Sequence, residues 1–314
     1  MDILDILAEE FSLRKDRLQK TVELIDEGNT IPFIARYRKE LTGGIDDTVL
    51  RELNERLLYL RGLEKRKEEV RAHIESLDKM TDEIDAALKS AKILAEVEDI
   101  YRPFKARRKT RASVARERGL EPLAAAISEQ LPSYEKDILQ LAEAFVDEAK
   151  EIPDAQTDII AEDISDNAAF RRDIRELTQK YGVLFSKAAT EEDSVYRMYY
   201  DYSEAVKSIP DHRVLAINRG ESEGFLKVTI RIDRDIVLND LFFKVIRDYS
   251  SPAYRYMASA VIDSYERLIE PSIEREIRSM LFDRAGEGAV KLFGENLKNL
   301  LMQSPLRGMV VMGY

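Results

Sequence analysis

The sequence predicts a mainly α fold, multi-helical and elongated, with a helix-turn-helix-like central segment and one minor β element near residues 225–232. Three observations lead to it. Apolar residues recur at three- and four-residue steps through most of the 314 positions, the spacing of a single helix face. Charged residues reach 35%, as helix-rich surfaces do, beside 44% hydrophobic residues that suffice to build cores. Before the end of the chain only Phe225–Ile232, FLKVTIRI, alternates apolar with polar or basic residues in a β-branched stretch, the period-two mark of a strand.

Taken in order, residues 2–11 place Ile3, Leu4, Ile6, Leu7 and Phe11 on a short amphipathic helix, and 14–27 form a second with Leu18, Val22 and Ile25 on one face. Gly28 stops it, because a left-handed residue is easiest without a side chain. In GNTIPFIARYRKELTGG (28–44), Pro32 suits the first turn of a short helix and Gly43-Gly44 ends the next. Asp46 or Asp47 caps a long helix to Leu77, whose Leu50, Leu53, Leu57, Leu60, Val70, Ile74 and Leu77 follow a seven-residue pattern and make one packed stripe. His73, beside that stripe, is a packing or surface residue. Thr81 caps a further helix with Asp82 and Glu83 at its positive end. Helices follow at 92–100 and 122–130.

The central part reads as helical over 134–150, 155–163 and 167–181, with Pro153 breaking the first. Gly182 and the apolar Val183-Leu184-Phe185 then fit a helix-turn-helix, although any helical bundle uses such turns. The tyrosines of Tyr196–Tyr202 are expected in the core, base stacking being the alternative. After the strand, helices run from Ser251-Pro252 to Ile269 and onward from Pro271. Ile273, Ile277, Met280, Leu281, Leu292, Leu297 and Leu300 give the last one a continuous apolar face, which Gly286 and Gly288 are expected to weaken or bend. The terminal MVVMGY (309–314) reads as the first residues of a buried strand, as if a further domain began there. These punctuations divide the chain into 1–131, 132–205 and 206–314.

The chemistry excluded is extensive. Cysteine is absent, so there is no disulfide framework, thiolate nucleophile or Cys-based zinc site. His73 and His212 are the only histidines, which leaves little His-dependent acid–base or metal chemistry. The carboxylates fall in no metal-binding signature, and Arg219–Gly224 (RGESEG) lacks the lysine and the strand-loop-helix setting of a phosphate-binding loop. No enzyme activity and no cofactor are expected. No apolar run approaches the ~20 residues of a membrane span, and the acidic amino terminus is unlike a secretory signal; a cytoplasmic protein with no membrane partner is the expectation.

Charge supplies the positive clue. Tyr101–Arg118, YRPFKARRKTRASVARER, holds eight basic residues and one acid, a local +7 in a chain of formal net charge −11, so that the remainder carries −18. Blocks of like charge meet solvent or an anionic partner. Arg36, Arg38 and Lys39 form a second knot; the carboxylates nearby favour ion pairs for these three, with phosphate as the alternative.

Four stretches carry a resemblance: GNTIPFIARYRKELTGG (28–44), DIYRPFKARRKTRASVARERGLEPLA (99–124), IPDHRVLAINRGESEGFL (209–226) and PSIEREIRSMLFDRA (271–285). Together, and in order over essentially the whole chain, they resemble the bacterial Tex family of transcription accessory proteins. The resemblance implies an all-helical amino-terminal region with a helix-turn-helix-like centre, followed in the family by an RNase H-like domain, helix-hairpin-helix motifs and an RNA-binding OB fold. The terminal VVMGY resembles the entry into that RNase H-like sheet, so the chain is expected to lack those later modules. Family members are implied to bind nucleic acid, to act with the transcription machinery and to be similar to a eukaryotic elongation factor.

Two functions follow. In the first, a helical scaffold binds RNA or DNA without regard to sequence. Its candidate contacts are Arg36, Arg38, Lys39, Arg102, Lys105, Arg107, Arg108, Lys109, Arg111 and Arg116, with Thr110 and Ser113 adding neutral hydrogen bonds. In the second, the acidic body is a protein-interaction scaffold that docks on RNA polymerase, on other transcription factors or on the family's own later domains, and the basic run is an internal salt-bridge seam. Exposure of the basic heads at 105–111 separates the two. The oligomeric state is not legible.

Overall fold

The computed structural model describes residues 2–105, 109–134, 138 and 152–303. The helix expected over 134–150 and the apolar end at 309–314 lie outside them. Two compact units are present, Met1–Lys105 and Ala106–Tyr314.

The first unit is helical and organised by one long helix. It comprises α1 (Ile3–Glu10), α2 (Lys15–Asp26), α3 (Ile31–Tyr37), α4 (Lys39–Thr42), α5 (Asp47–Ser76), α6 (Asp82–Ser90) and α7 (Leu94–Tyr101), closed by a 3-10 turn at Arg102–Phe104. Asp46 caps α5 by accepting from the Thr48 amide at 3.2 Å, and Thr81 caps α6 by accepting from Ile84. Gly28 and Gly43 take the left-handed backbone at φ +82° and +75° that stops α2 and α4.

The apolar stripe of α5 threads three clusters. Leu50 packs with Leu24, Ile34 and Ala35 of α2 and α3. Leu53, Leu57 and Leu60 meet Leu7, Leu18 and Val22 of α1 and α2. Leu63, Val70 and Ile74 meet Leu88, Ala91 and Val97 of the α6–α7 region. Leu77 caps the helix and is exposed, and His73 is a surface residue in edge contact with the Tyr101 ring. Gly62 stands in the interior of α5, where a glycine costs roughly 1 kcal/mol relative to alanine, yet an added Cβ would meet nothing within 4 Å.

The second unit has one core, reaching from Ala112 to Ala285. Its elements are α8 (Arg111–Glu117), α9 (Glu121–Glu129), α10 (Ile152–Asp166), α11 (Ala168–Tyr181), β1 (Val183–Ala188), β2 (Asp201–Ala205), α12 (Asp211–Ser222), β3 (Leu226–Arg231), α13 (Arg234–Val245), α14 (Tyr254–Asp263) and α15 (Glu270–Leu301). The expected strand is β3, and it has company. The three strands form an antiparallel sheet in the order β2-β1-β3, with Leu184 opposite Glu204 on one side and Ile230 on the other.

The tight turn at Gly182 therefore leads from a helix into a strand, not into a second helix. Val183–Ala188 alternates as a strand does, burying Leu184 and Ser186. Gly182 sits where an added Cβ would lie 2.3 Å from the Thr178 carbonyl oxygen, so the chain leaves α11 by a path open to glycine. The close helix pair of this segment is α10 and α11, joined at Asn167, whose side chain accepts from Ala169 and Phe170. Tyr196 and Tyr199 are core residues, and Tyr200 and Tyr202 pack against them.

Pro271 explains the turn before it. Lacking an N–H, it leaves the carbonyl four residues earlier without its helical partner, and Ser264–Ile269 widens into a π-helical segment between α14 and α15. Neither Gly286 nor Gly288 interrupts α15. Its apolar face divides instead: Ile273, Ile277, Leu281 and Ala285 are buried, whereas Leu292, Leu297 and Leu300 are exposed. Among the described residues, no helix is long and apolar enough to cross a membrane.

Candidate nucleic-acid interface

The basic residues of the first unit fall on two separate surfaces. Ile34 and Ala35 are the buried pair of α3, so the helical period turns Arg36 and Tyr37 outward. Arg38 links α3 to α4, whose buried contact is Thr42, and Lys39 opens α4 facing solvent. Arg36, Arg38 and Lys39 are all exposed, and none makes an ion pair with a carboxylate among the described residues. The ion pairs expected from nearby carboxylates are not formed. Arg38 lies over the Phe33 ring at 5.2 Å, and that ring contacts Tyr37, which is 66% exposed.

Two neighbours of this surface escape a reading by charge blocks. Arg17 of α2 lies across the end of α4, with its Nη1 atom 2.6 Å from where a Cβ on Gly43 would stand. It is one cation among mixed charges in sequence and joins the knot only through packing. Tyr37 was legible, since PFIARYRK interleaves aromatic and basic residues as single-strand binding surfaces do.

Arg102 and Lys105 lie elsewhere, past α7, which packs on the Leu63–Ile74 end of the α5 stripe while α3 packs on its Leu50 end. At 1.5 Å per residue the two ends are on the order of 20 Å or more apart. The Lys105 amine is bonded to Glu98, whose other partner is Arg66 at 2.7 Å, and both cations stand 5.3 Å from the Tyr101 ring centroid. Burial works to raise the Glu98 carboxyl, but the hydrogen bonds from Arg66 and Lys105 outweigh it and hold the group below its usual range.

In the second unit two of the run's described cations, Lys109 and Arg116, are paired with carboxylates. Lys109 pairs with Glu117 at 3.3 Å, both side chains well exposed. Arg116 reaches Glu162 at 2.5 Å and Asp163 at 2.8 Å on α10, tying α8 to it. Arg111 is exposed and makes no ion pair among the described residues. Thr110 and Ser113, the expected neutral donors, are instead committed to each other: each side chain accepts the other's amide, at 3.0 and 2.9 Å, as the capping box that starts α8. Arg107 and Arg108 lie outside the described residues. No group of three or more His, Asp or Glu side chains among the described residues is arranged to hold a metal ion.

Comparison with known proteins places these surfaces in a family. Residues 1–75 match the Tex-like protein N-terminal domain, and residues 132–293, more than half of the chain, match the Tex central region. The chain belongs to the Tex family. Among its relatives, the uncharacterized protein YdcI of Bacillus subtilis is 42% identical over 323 residues, covering 98% of this chain and 44% of YdcI. The transcriptional accessory protein Tex of Neisseria gonorrhoeae is 33% identical over 325 residues, covering 100% of this chain and 42% of its own length. The human S1 RNA-binding domain-containing protein 1 is 31% identical over 335 residues, covering 99% of this chain and 33% of the human protein. The chain thus spans less than half the length of these relatives.

Proposed function

We propose that this Tex-family chain is a non-enzymatic, cytoplasmic, nucleic-acid-binding part of a transcription accessory factor. It holds RNA or DNA through sequence-independent phosphate contacts at Arg36, Arg38 and Lys39, with Arg111 as a lesser contact. One observation carries this reading. In a protein of net charge −11, three adjacent cations remain exposed and without a carboxylate partner among the described residues. Arginine offers two donors to a phosphate at once, and such contacts release counterions. The name of the gonococcal relative supports a role in transcription, and that of the human relative supports an RNA ligand.

The test is a fluorescence-anisotropy titration with duplex DNA and with single-stranded RNA at 50 and 200 mM salt. Three neutralised phosphates predict that affinity falls about 20–40-fold between those concentrations. No binding at the lower salt, or binding indifferent to salt, overturns the reading.

A second reading has its own support. Lys105 and Arg116 are tied to carboxylates of their own units, as a protein-interaction scaffold docking on RNA polymerase or another transcription factor would allow. Polymerase binding without nucleic-acid binding in the same preparation favours it.

A further inference from the structure

The cations of α3 and α4 share their surface with an aromatic ring that the phosphate contacts leave unused. Tyr37 ends α3 and is 66% exposed. Phe33, one helical turn earlier and half-buried, has its ring centroid 5.2 Å from that of Tyr37, the planes inclined at 41°. Arg38 lies over the same Phe33 ring. Phe33 therefore braces both the tyrosine and the guanidinium. The Tyr37 hydroxyl makes no hydrogen bond among the described residues, so nothing in the unit engages its polar end. Leaving such a ring in solvent forgoes the burial that an aromatic side chain ordinarily contributes. Tyr59, also exposed, is a contrast: its hydroxyl accepts from the Leu94 amide, and the Arg56 over its ring is engaged by Glu10.

The surroundings give the chemistry of the ligand. The charged side chains of residues 28–44 are Arg36, Arg38, Lys39 and Glu40, and packing adds Arg17 over Gly43. Four cations to one carboxylate, beside an open aromatic face, match a single strand of nucleic acid: the cations take its backbone and the ring takes the face of a base. A duplex offers this surface its phosphates alone, because each base face inside it is covered by the neighbouring pair. An acidic protein segment would answer the cations and leave the ring without a planar partner. We propose that Tyr37, braced by Phe33, is a base-stacking platform that makes this surface select unpaired over paired nucleic acid. The proposal rests on the phosphate reading and adds a contact that charge neutralisation does not supply.

Three labelled probes separate base from backbone: an oligothymidylate of about 12 nucleotides, an abasic strand of the same length and a duplex of the same length. Titrated with the full chain by anisotropy at about 50 mM salt, the oligothymidylate is expected to bind at least about 5-fold tighter than the abasic strand. Tyr37→Ala should remove that advantage while leaving the abasic and duplex affinities, and their salt dependence, within about twofold. Tyr37→Phe keeps the ring and should keep the advantage. Equal, salt-dependent binding of all three probes by the wild type overturns the stacking proposal and leaves the phosphate reading standing. So does a Tyr37→Ala variant that retains the advantage, or one that weakens all three probes alike, which would make the ring structural. Binding of none of the probes overturns both readings, and polymerase binding in that same preparation would give the ring to a protein interface.

Discussion

Arg36, Arg38 and Lys39 stand on α3 and α4 with solvent around their charged ends, whereas Lys105 and Arg116 are held against Glu98 and Glu162. Among the described residues, the longer basic run is thus the more committed of the two regions. Its partners come from 7 and 46 residues away, brought in by the packing of α7 and of α8 on α10. Charge density along a chain counts charges. Availability depends on which carboxylates the fold delivers, and a committed guanidinium must lose its partner before it can hold a phosphate.

The contrast can be sharpened by removing the committed cations in order of effect. Arg116→Ala is expected to cost the most stability, about 1–3 kcal/mol, because Glu162 is buried and loses a charged hydrogen-bond donor. Urea denaturation reads the cost, and nucleic-acid affinity should not change. A stability loss near zero would place Arg116 with the free cations.

Lys105→Ala is expected to cost at most about 1 kcal/mol, since the pair is partly exposed. Its signature is pH dependence. Glu98 has a lowered folded carboxyl pKa, so the stability it contributes is present above the ordinary value of 4.5 and is lost as pH falls through the folded value. Thermal melts between pH 6 and about pH 3 should show the wild type losing more stability than Glu98→Gln. Parallel pH profiles would remove Lys105 and Glu98 from the committed class.

Lys109→Ala is expected to have the smallest effect, within about 0.5 kcal/mol, because its pairing with Glu117 is solvent-exposed. A larger loss would mean that the pair carries structure as Arg116 does, despite its exposure.

Much of the fold was legible because it rests on short-range periodicity. The α5 stripe, the stops at Gly28 and Gly43, the cap at Thr81 and the strand at 226–231 all follow from spacing and backbone preference. The strand β1 was not, since Val183–Phe185 is too short for periodicity to separate strand from helix, and its pairing with β2 and β3 is a long-range fact. The apolar face of α15 was visible as a face, but burial of Ile273 and exposure of Leu297 depend on what the helix packs against. At the candidate site the cations were visible and their commitments were not. Neither the Glu162 partner of Arg116 nor the position of Arg17 over Gly43 leaves a trace in local sequence.

The most direct test of the free-versus-committed distinction sets two variants side by side against one labelled single-stranded RNA at 50 mM salt. Arg36→Ala/Arg38→Ala/Lys39→Ala should bind at least about 20-fold more weakly than the wild type and lose most of the salt dependence. Lys105→Ala/Lys109→Ala should stay within about twofold. Weak binding by the second variant with normal binding by the first would contradict the account and return the phosphate contacts to the basic run.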